Sequence, residues 1–427
     1  MKKLSVVLLF VLVANWGFAQ EDGSNRYQKR VLETAEIDLL FSYYNQDGEH
    51  AAVTGGEGTE ELTDATSSIV VKMPLNPDDV LTLDVGISAY SSASSSNIDP
   101  FDDTGRTASP FSASSGASQS DALVHFNPTY EHSSEDRNAI YSVQAYIASE
   151  YDYFSIGFGG GYTRLFNEKN TQLSASFQLF LDRWNPQYPV ELRDGFNDSR
   201  ITGTGTYDPN FVAFDDETRN SYSLSLSLSQ ILGKRIQGSI FMDLVSQKGL
   251  LGTPHQRVYF SDVDDFFIED FQLADDVERL PDSRFKIPVG ARLNYYMNDL
   301  IVLRSYYRYY SDDWGISAHT ASLEVPIKLN DQFTLYPNYR YYSQTAADYF
   351  YGKEAADSSL EFYTSDYDLS AFDSHQYGMG IRYKDIFTKA KILTFGLKAI
   401  DFRGNKYDRS DGLSSYIFSL GATFVGI

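Results

Sequence analysis

The 427-residue chain has no cysteine, three tryptophans, five methionines and six histidines. Zero cysteine excludes disulfides, thiolate metal sites, a cysteine nucleophile and an acylated cysteine at the N-terminus. A chain of this length must then hold itself by hydrogen bonding and packing. Basic residues are also short: 35 Lys and Arg stand against 58 Asp and Glu, a formal net charge of −23. Such a balance excludes nucleic acid as a partner, because binding phosphates needs Lys and Arg. No apolar run long enough for a transmembrane helix occurs after residue 19.

What is present begins with Lys2 and Lys3, an apolar "LSVVLLFVLVANW" run and the small residues Gly17 and Ala19 around Phe18. That is the pattern of a secretory signal peptide, too short and wrongly flanked for a spanning helix. The expected division is a signal peptide over 1–19 for general secretory export, a short periplasmic lead over 20–30, and one domain over 31–427. Tyrosine and phenylalanine are abundant, 32 and 29, beside 30 glycines. With little helical periodicity, these point to a β protein.

The clearest stretch is "SYSLSLSLSQ", in which Tyr222, Leu224, Leu226 and Leu228 alternate with serines. Period two gives one apolar and one polar face. Sixteen such segments are expected, near 31–44, 65–75, 80–91, 122–132, 138–149, 153–165, 171–183, 221–232, 235–247, 285–296, 300–311, 317–329, 332–344, 376–385, 391–403 and 414–427. At about ten to thirteen residues each they exceed the usual globular strand of roughly five or six. They match tilted strands crossing a bilayer. Every second connection is tight, such as "NPDD" at 76–79 or "LGK" at 232–234, and most of the others are long and polar. Short turns at one end and long loops at the other predict a closed antiparallel outer-membrane barrel of about sixteen strands. A propeller would need a repeat every 40–50 residues, which is missing, and a sandwich seldom has so many long strands.

A Lys or Arg facing lipid near the bilayer midplane costs roughly 2–4 kcal/mol. The row containing Arg292, Arg304, Arg308, Arg340, Arg382 and Lys398, with Lys286, is therefore expected to face the lumen as a basic wall. Glu36, Asp38, Asp84 and Asp182 are expected to form an acidic wall from the first half of the chain. In the closing "SSYIFSLGATFVGI", Tyr416, Phe418, Leu420 and Phe424 face lipid, and the last strand pairs with the first. Tyrosine clusters such as "YYRYY" at 306–310 read as an interfacial girdle.

Several stretches, read together, resemble a known family: "RVLETAEIDLLFSYYNQDG", "NPDDVLTLDVGISAYSSASSSNIDPFD", "QTAADYF" and "TSDYDLSAFDSHQYGMGIRY". The similarity is to the bacterial domain of unknown function 3570 family, common in Bacteroidota, and it spans almost the whole chain after the leader. Glu57 in "GGEGTEEL" departs from it, since the family has an apolar residue there. The resemblance implies an outer-membrane barrel with no established activity. It also implies association with a small lipoprotein, a thioredoxin-like protein and a flavin-transfer protein, hence an envelope redox or flavinylation setting. Lipid and the outer-membrane insertion machinery are expected partners of any such barrel.

Two further features bear on chemistry. "SDVDDFFIEDFQLADDVE" at 261–278 is densely acidic, and Asp262, Asp264 and Asp265 are oxygen donors of the kind calcium takes. The EF-hand spacing is missing, so a solvated acidic loop is the reading, with a divalent ion as the alternative. Phe266, Phe267 and Phe271 predict that this loop packs down onto the barrel mouth. His125 shares the inward row with Asn127 and Thr129 but has no serine beside it, so no catalytic centre and no cofactor are expected. Function then divides between a pore for small polar or charged solutes and a filled, non-conducting scaffold for envelope partners.

Overall fold

The computed structural model describes residues 30–91, 120–209, 211–215 and 217–426. The expected leader, all but the last residue of the 20–30 lead, and nearly all of the serine-rich 92–121 connection lie outside the described residues. Alternation builds the wall. Its strands are β1 (Glu36–Asp47), β2 (Leu62–Pro74), β3 (Asp79–Ser91), β4 (Ser120–Ser133), β5 (Ala139–Ser149), β6 (Tyr153–Phe166), β7 (Thr171–Trp184) and β8 (Thr218–Gly233). They continue as β9 (Ile236–Gly249), β10 (Ser283–Lys286 with Val289–Tyr296), β11 (Val302–Ser311) and β12 (Ser317–Glu324 with Ile327–Lys328). The last four are β13 (Phe333–Gln344), β14 (Phe372–Lys384), β15 (Phe395–Arg409) and β16 (Ser414–Gly426). The breaks in β10 and β12 fall at Pro288 and Pro326, whose missing N–H interrupts the ladder.

Each strand pairs antiparallel with its chain neighbours, and β1 pairs with β16 from Glu36↔Val425 to Asp47↔Ser414. The sheet is closed, so no edge of the wall is left unpaired. Register partners sort the side chains. Phe41, Leu420, Phe402 and Ile381 share one outward row across β1, β16, β15 and β14, and all four are exposed. Ile87, Val124, Val143, Phe177, Leu224 and Ile240 are also outward and exposed. Large apolar side chains left bare around a whole wall are what lipid contact requires: burying one of that size gains roughly 1.5–3 kcal/mol. The outward Tyr307 and Tyr339 hydroxyls each meet a histidine Nδ1 at 2.8 Å, His319 and His375. This tyrosine–histidine band near the long-loop end has the form of an interfacial girdle.

β15 differs from the strand expected at 391–403 with a link over 404–413: it runs from Phe395 to Arg409, and the link is 410–413. Two causes combine. Lys391 and Ile392 fold back on Gly396 and Phe395 as a small hairpin through Leu393 in the left-handed region. Further on, "GNKYDR" looks like a loop but continues the strand toward the long-loop end. Between Leu397 and Ala399 the register shifts, leaving Lys398 as a bulge. One extra residue flips every side chain beyond it. Ile400 and Phe402 therefore share the outward rows, while Asp401 and Arg403 face inward.

Most of the buried apolar residues lie in the long loops rather than the wall. Leu192, Tyr259, Ala274 and Val277 form one cluster; Phe266, Ile268 and Leu273 a second; Val258, Phe260, Ala356 and Tyr363 a third. Short ladders join Arg257–Val258 to Asp276–Val277 and Phe266–Ile268 to both Ile201–Gly203 and Phe271–Gln272. The expected descent of Phe266 and Phe271 onto the barrel mouth is corrected: they pack within this layer, beside Phe196, Ile201 and Tyr207. A loop that pairs with other loops satisfies its own backbone and buries its apolar side chains without the wall.

Candidate functional site in the lumen

Inward positions follow from register, and Lys286, Arg292, Arg304, Arg308, Arg340 and Arg382 all stand on that side. Glu36, Asp38, Asp84 and Asp182 do too. Tyr416, Phe418, Leu420 and Phe424 face outward on β16. Ion pairing then divides the basic group. Arg304 and Arg403 share Glu324 at 2.9 and 2.8 Å, Arg382 holds Asp401 at 2.7 Å, and Lys398 reaches Glu36 at 2.6 Å. Lys286, Arg292, Arg308 and Arg340 form no ion pair among the described residues.

The acidic side is held differently. Asp84 accepts from Ser68 at 2.7 Å, and Asp64 from Thr66 at 2.8 Å and Ser88 at 2.6 Å. Hydroxyls satisfy these carboxylates without cancelling their charge. Asp38 meets Lys72 at 3.4 Å, and Asp182 meets Ser155 at 2.7 Å and Arg219 at 3.4 Å. The sequence reading passed over Lys72, Asp64, Arg219, Asp401 and Arg403. Alternation was a usable signal for Asp64, Lys72 and Arg219; the bulge hid Asp401 and Arg403. The lumen is thus two-sided, and among the cited pairs Lys398–Glu36 is the one that joins the sides.

The unpaired arginines sit at two adjacent levels. The upper runs Gly290–Arg308–Thr320–Tyr342–Ser374–Arg409 across β10 to β15, the lower Arg292–Tyr306–Ser322–Arg340–Gln376–Tyr407. Neither contains a carboxylate. Arg292 lies 5.5 Å from the rings of both Phe241 and Tyr306, which stack on each other at 5.7 Å. Gly290 permits this, because a Cβ there would collide with the Phe241 ring. Arg308 stands 5.9 Å from the Tyr310 ring, and its buried Nε has no hydrogen-bond partner. Two guanidinium groups about 10 Å apart repel by ~0.4 kcal/mol in water and ~1.7 kcal/mol at an effective dielectric of 20. Among the described residues, neither of these two levels holds a carboxylate to offset that repulsion. A cavity of about 460 Å³ adjoins these levels, lined by Arg340, Tyr342, Gln376, Tyr407 and Tyr44, with Asp368 above.

Asp368 belongs to the loop layer, which is anchored to this side of the rim. Arg409 bonds Asp368 and Asp411 at 2.5 Å each and the Tyr367 carbonyl at 2.9 Å. Gln344 donates to the Asp368 and Ser370 carbonyls at 2.9 and 2.6 Å. The His50 ring stacks on Tyr367 with centroids 3.4 Å apart, and its two nitrogens face the Gly56 and Asp411 carbonyls. At the centre of the layer Arg257 grips Glu191 with two bonds, 2.6 and 3.1 Å, and donates to the Val53 carbonyl at 2.7 Å, with both side chains fully buried. Glu57 meets Lys353 at 3.3 Å.

Burial raises several carboxyls in this layer. Glu60 is pushed up to about 7 and Asp275 to about 6, each chiefly by loss of water. Glu278 and Asp366 are raised by desolvation first, then by neighbouring carboxylates. Desolvation pushes the His255 ring down to about 4.

Asp262, Asp264 and Asp265 do not come together as a three-carboxylate cluster. Asp262 accepts from the Ser358 backbone and hydroxyl at 2.8 and 2.7 Å, and Asp265 accepts from Gln272 at 3.0 Å. The cluster found among the described residues is Asp121, Glu150 and Asp152, at the long-loop end of β4 to β6. His125 meets Asp84 at 3.5 Å and stacks on Tyr146 at 6.2 Å. No hydroxyl bonds its ring among the described residues.

Fold and lumen together define a transmembrane β-barrel of the outer-membrane type, with sixteen antiparallel strands, a lipid-facing belt and a charged interior. The family model described as "Protein of unknown function (DUF3570)" matches residues 79–408, and the chain belongs to that family. No curated protein sequence matches the chain. Among solved structures it is similar to a bacterial polysaccharide outer membrane secretin, at 10% identity and a TM-score of 0.46, covering 93% of this chain and 100% of that one. It is also similar to the outer membrane protein OpdK from Pseudomonas aeruginosa, at 8% identity and TM-score 0.39 over 92% and 99% of the two chains. A BenF-like porin from Pseudomonas fluorescens Pf-5 aligns at 9% identity and TM-score 0.38, over 92% and 99%.

Proposed function

We propose that this protein is an outer-membrane conduit for small polar or charged solutes, with its short turns in the periplasm and the loop layer outside the cell. The leader at 1–19 would send it there. One observation carries the reading: inward side chains keep their access to water. Arg304 is 49% exposed, Arg382 46% and even the inward Leu40 48%. A barrel filled by its own side chains would bury these residues, whereas a sixteen-strand wall is wide enough for an aqueous channel. Charges of both signs around such a channel orient passing solutes.

A second reading, a scaffold that holds envelope partners such as a small lipoprotein or thioredoxin-like and flavin-transfer proteins, draws on the loop layer. A layer with its own apolar clusters is a stable surface for a partner. Single-channel recording from the purified chain in planar bilayers separates the two. Steady ohmic conductance supports the conduit; silence, both in the full chain and after shortening of loop 250–282, supports the scaffold.

A further inference from the structure

We infer that the two arginine levels of β10 to β15 form a binding track for a small organic oxyanion, a phosphate or carboxylate carried on a planar ring. This deepens the conduit reading by naming the class of solute, and rests on that reading for the idea that solutes enter the lumen.

Selectivity among the cations is the first argument. Arg304, Arg382, Arg403 and Lys398 are each committed to a carboxylate of the wall, and Arg409 to the loop layer. Arg292, Arg308 and Arg340 are left without an ion-pair partner among the described residues, in a region whose other inward members, apart from the committed Arg409, are Gly, Tyr, Ser, Thr and Gln. The next level down already contains Glu324, yet that acid bonds Arg304 and Arg403 instead. An oxyanion accepts paired N–H bonds from a guanidinium fork, which a chloride ion cannot match geometrically.

Surroundings supply the second argument. Arg308 Nε is desolvated and points at no acceptor. Buried polar groups are nearly always bonded, so a donor left over beside a hollow lumen implies an acceptor that comes and goes. Tyr342 and Tyr407 line the cavity next to Arg340, and Tyr306 lies against Arg292. Phenol rings beside guanidinium groups suit a ring on the ligand, and Gln376 offers a neutral donor. Inorganic anions would use the arginines alone.

The test is equilibrium binding of phenyl phosphate to the folded full chain in detergent at low ionic strength, by calorimetry. Inorganic phosphate and benzyl alcohol serve as the charge-only and ring-only probes. Phenyl phosphate is expected to bind at least tenfold tighter than either. Arg308→Gln with Arg340→Gln should weaken it tenfold or more, and Arg382→Gln, three inward levels below Arg340 and paired with Asp401, by less than twofold. Heat-modifiable electrophoretic mobility confirms that each variant is folded; if the double variant is not, Arg340→Gln alone, on an exposed lumen side chain, takes its place with a threefold loss expected. Equal weakening by Arg382→Gln would mean a diffuse field and overturn the track, as would phenyl phosphate binding no better than inorganic phosphate, or not at all. Bilayer recordings separate this from the conduit reading: binding in a silent barrel sinks the conduit and leaves the site. Conductance without phenyl phosphate binding does the reverse.

Discussion

Arg257 is the residue on which the loop layer depends. It joins loops 48–61, 185–217 and 250–282 through one guanidinium, with no water to take over if Glu191 or the Val53 carbonyl is lost. Removing one member of a buried pair leaves an uncompensated charge and costs about 3–5 kcal/mol, whereas replacing both with apolar residues is near neutral. Arg257→Met should expose loop 250–282 to limited proteolysis while the barrel keeps its heat-modifiable mobility, and Glu191→Leu added to it should restore protection. Full protection in the single variant would show that the pair contributes little. The raised carboxyls give the layer a pH response whose sign is fixed. Glu60 binds its proton more tightly folded than unfolded from its ordinary 4.5 up to about 7, and Asp275 from 3.8 up to about 6. Stability therefore falls as pH rises through those windows. His255, lowered to about 4 from 6.5, slopes the other way only below 6.5. Hydrogen-exchange protection factors in the loops, with the intrinsic pH dependence of amide exchange divided out, should be several-fold lower at pH 7.5 than at pH 5.5, and a flat or reversed profile would contradict these burials.

At the level of single strands, the bulge at Lys398 decides which way a whole strand faces. Without it, Asp401 and Arg403 would turn to lipid and Ile400 and Phe402 to the lumen. A charge on the lipid face costs roughly 2–4 kcal/mol near the midplane, so deletion of Lys398 should abolish heat-modifiable folding while Lys398→Ala leaves it intact. If the deletion still folds, β15 tolerates either register. This strand also shows where the sequence stopped being readable. Strands such as β8, with serine and leucine in strict turn, are legible because one face must meet lipid and the other water. In "GNKYDR" polar residues occupy both faces, the alternation lapses, and the strand reads as loop. The facing of Arg292, Arg308 and Arg340 followed from alternation, but their lack of partners did not. Pairing is set by register between strands distant in sequence, as with Lys398 and Glu36, 362 residues apart. The loop layer was legible only as a run of acids and phenylalanines.

For the whole molecule, a hollow wall and a folded layer at one end set the expected electrical behaviour. Replacing residues 250–282 with a short turn between β9 and β10 removes most of the loop clusters and leaves every strand of the wall. Conductance in planar bilayers should rise at least twofold, and an unchanged value would place the layer clear of the current path. The pairing of β1 with β16 has its own consequence. These two ribbons are joined rung by rung from Glu36↔Val425 to Asp47↔Ser414, so the sixteenth strand seals the first. Until it arrives the sheet has two raw margins facing hydrocarbon. Whatever escorts the nascent protein must shield both, and a polypeptide lacking Ser414–Gly426 would be left as an open gutter that lipid cannot solvate.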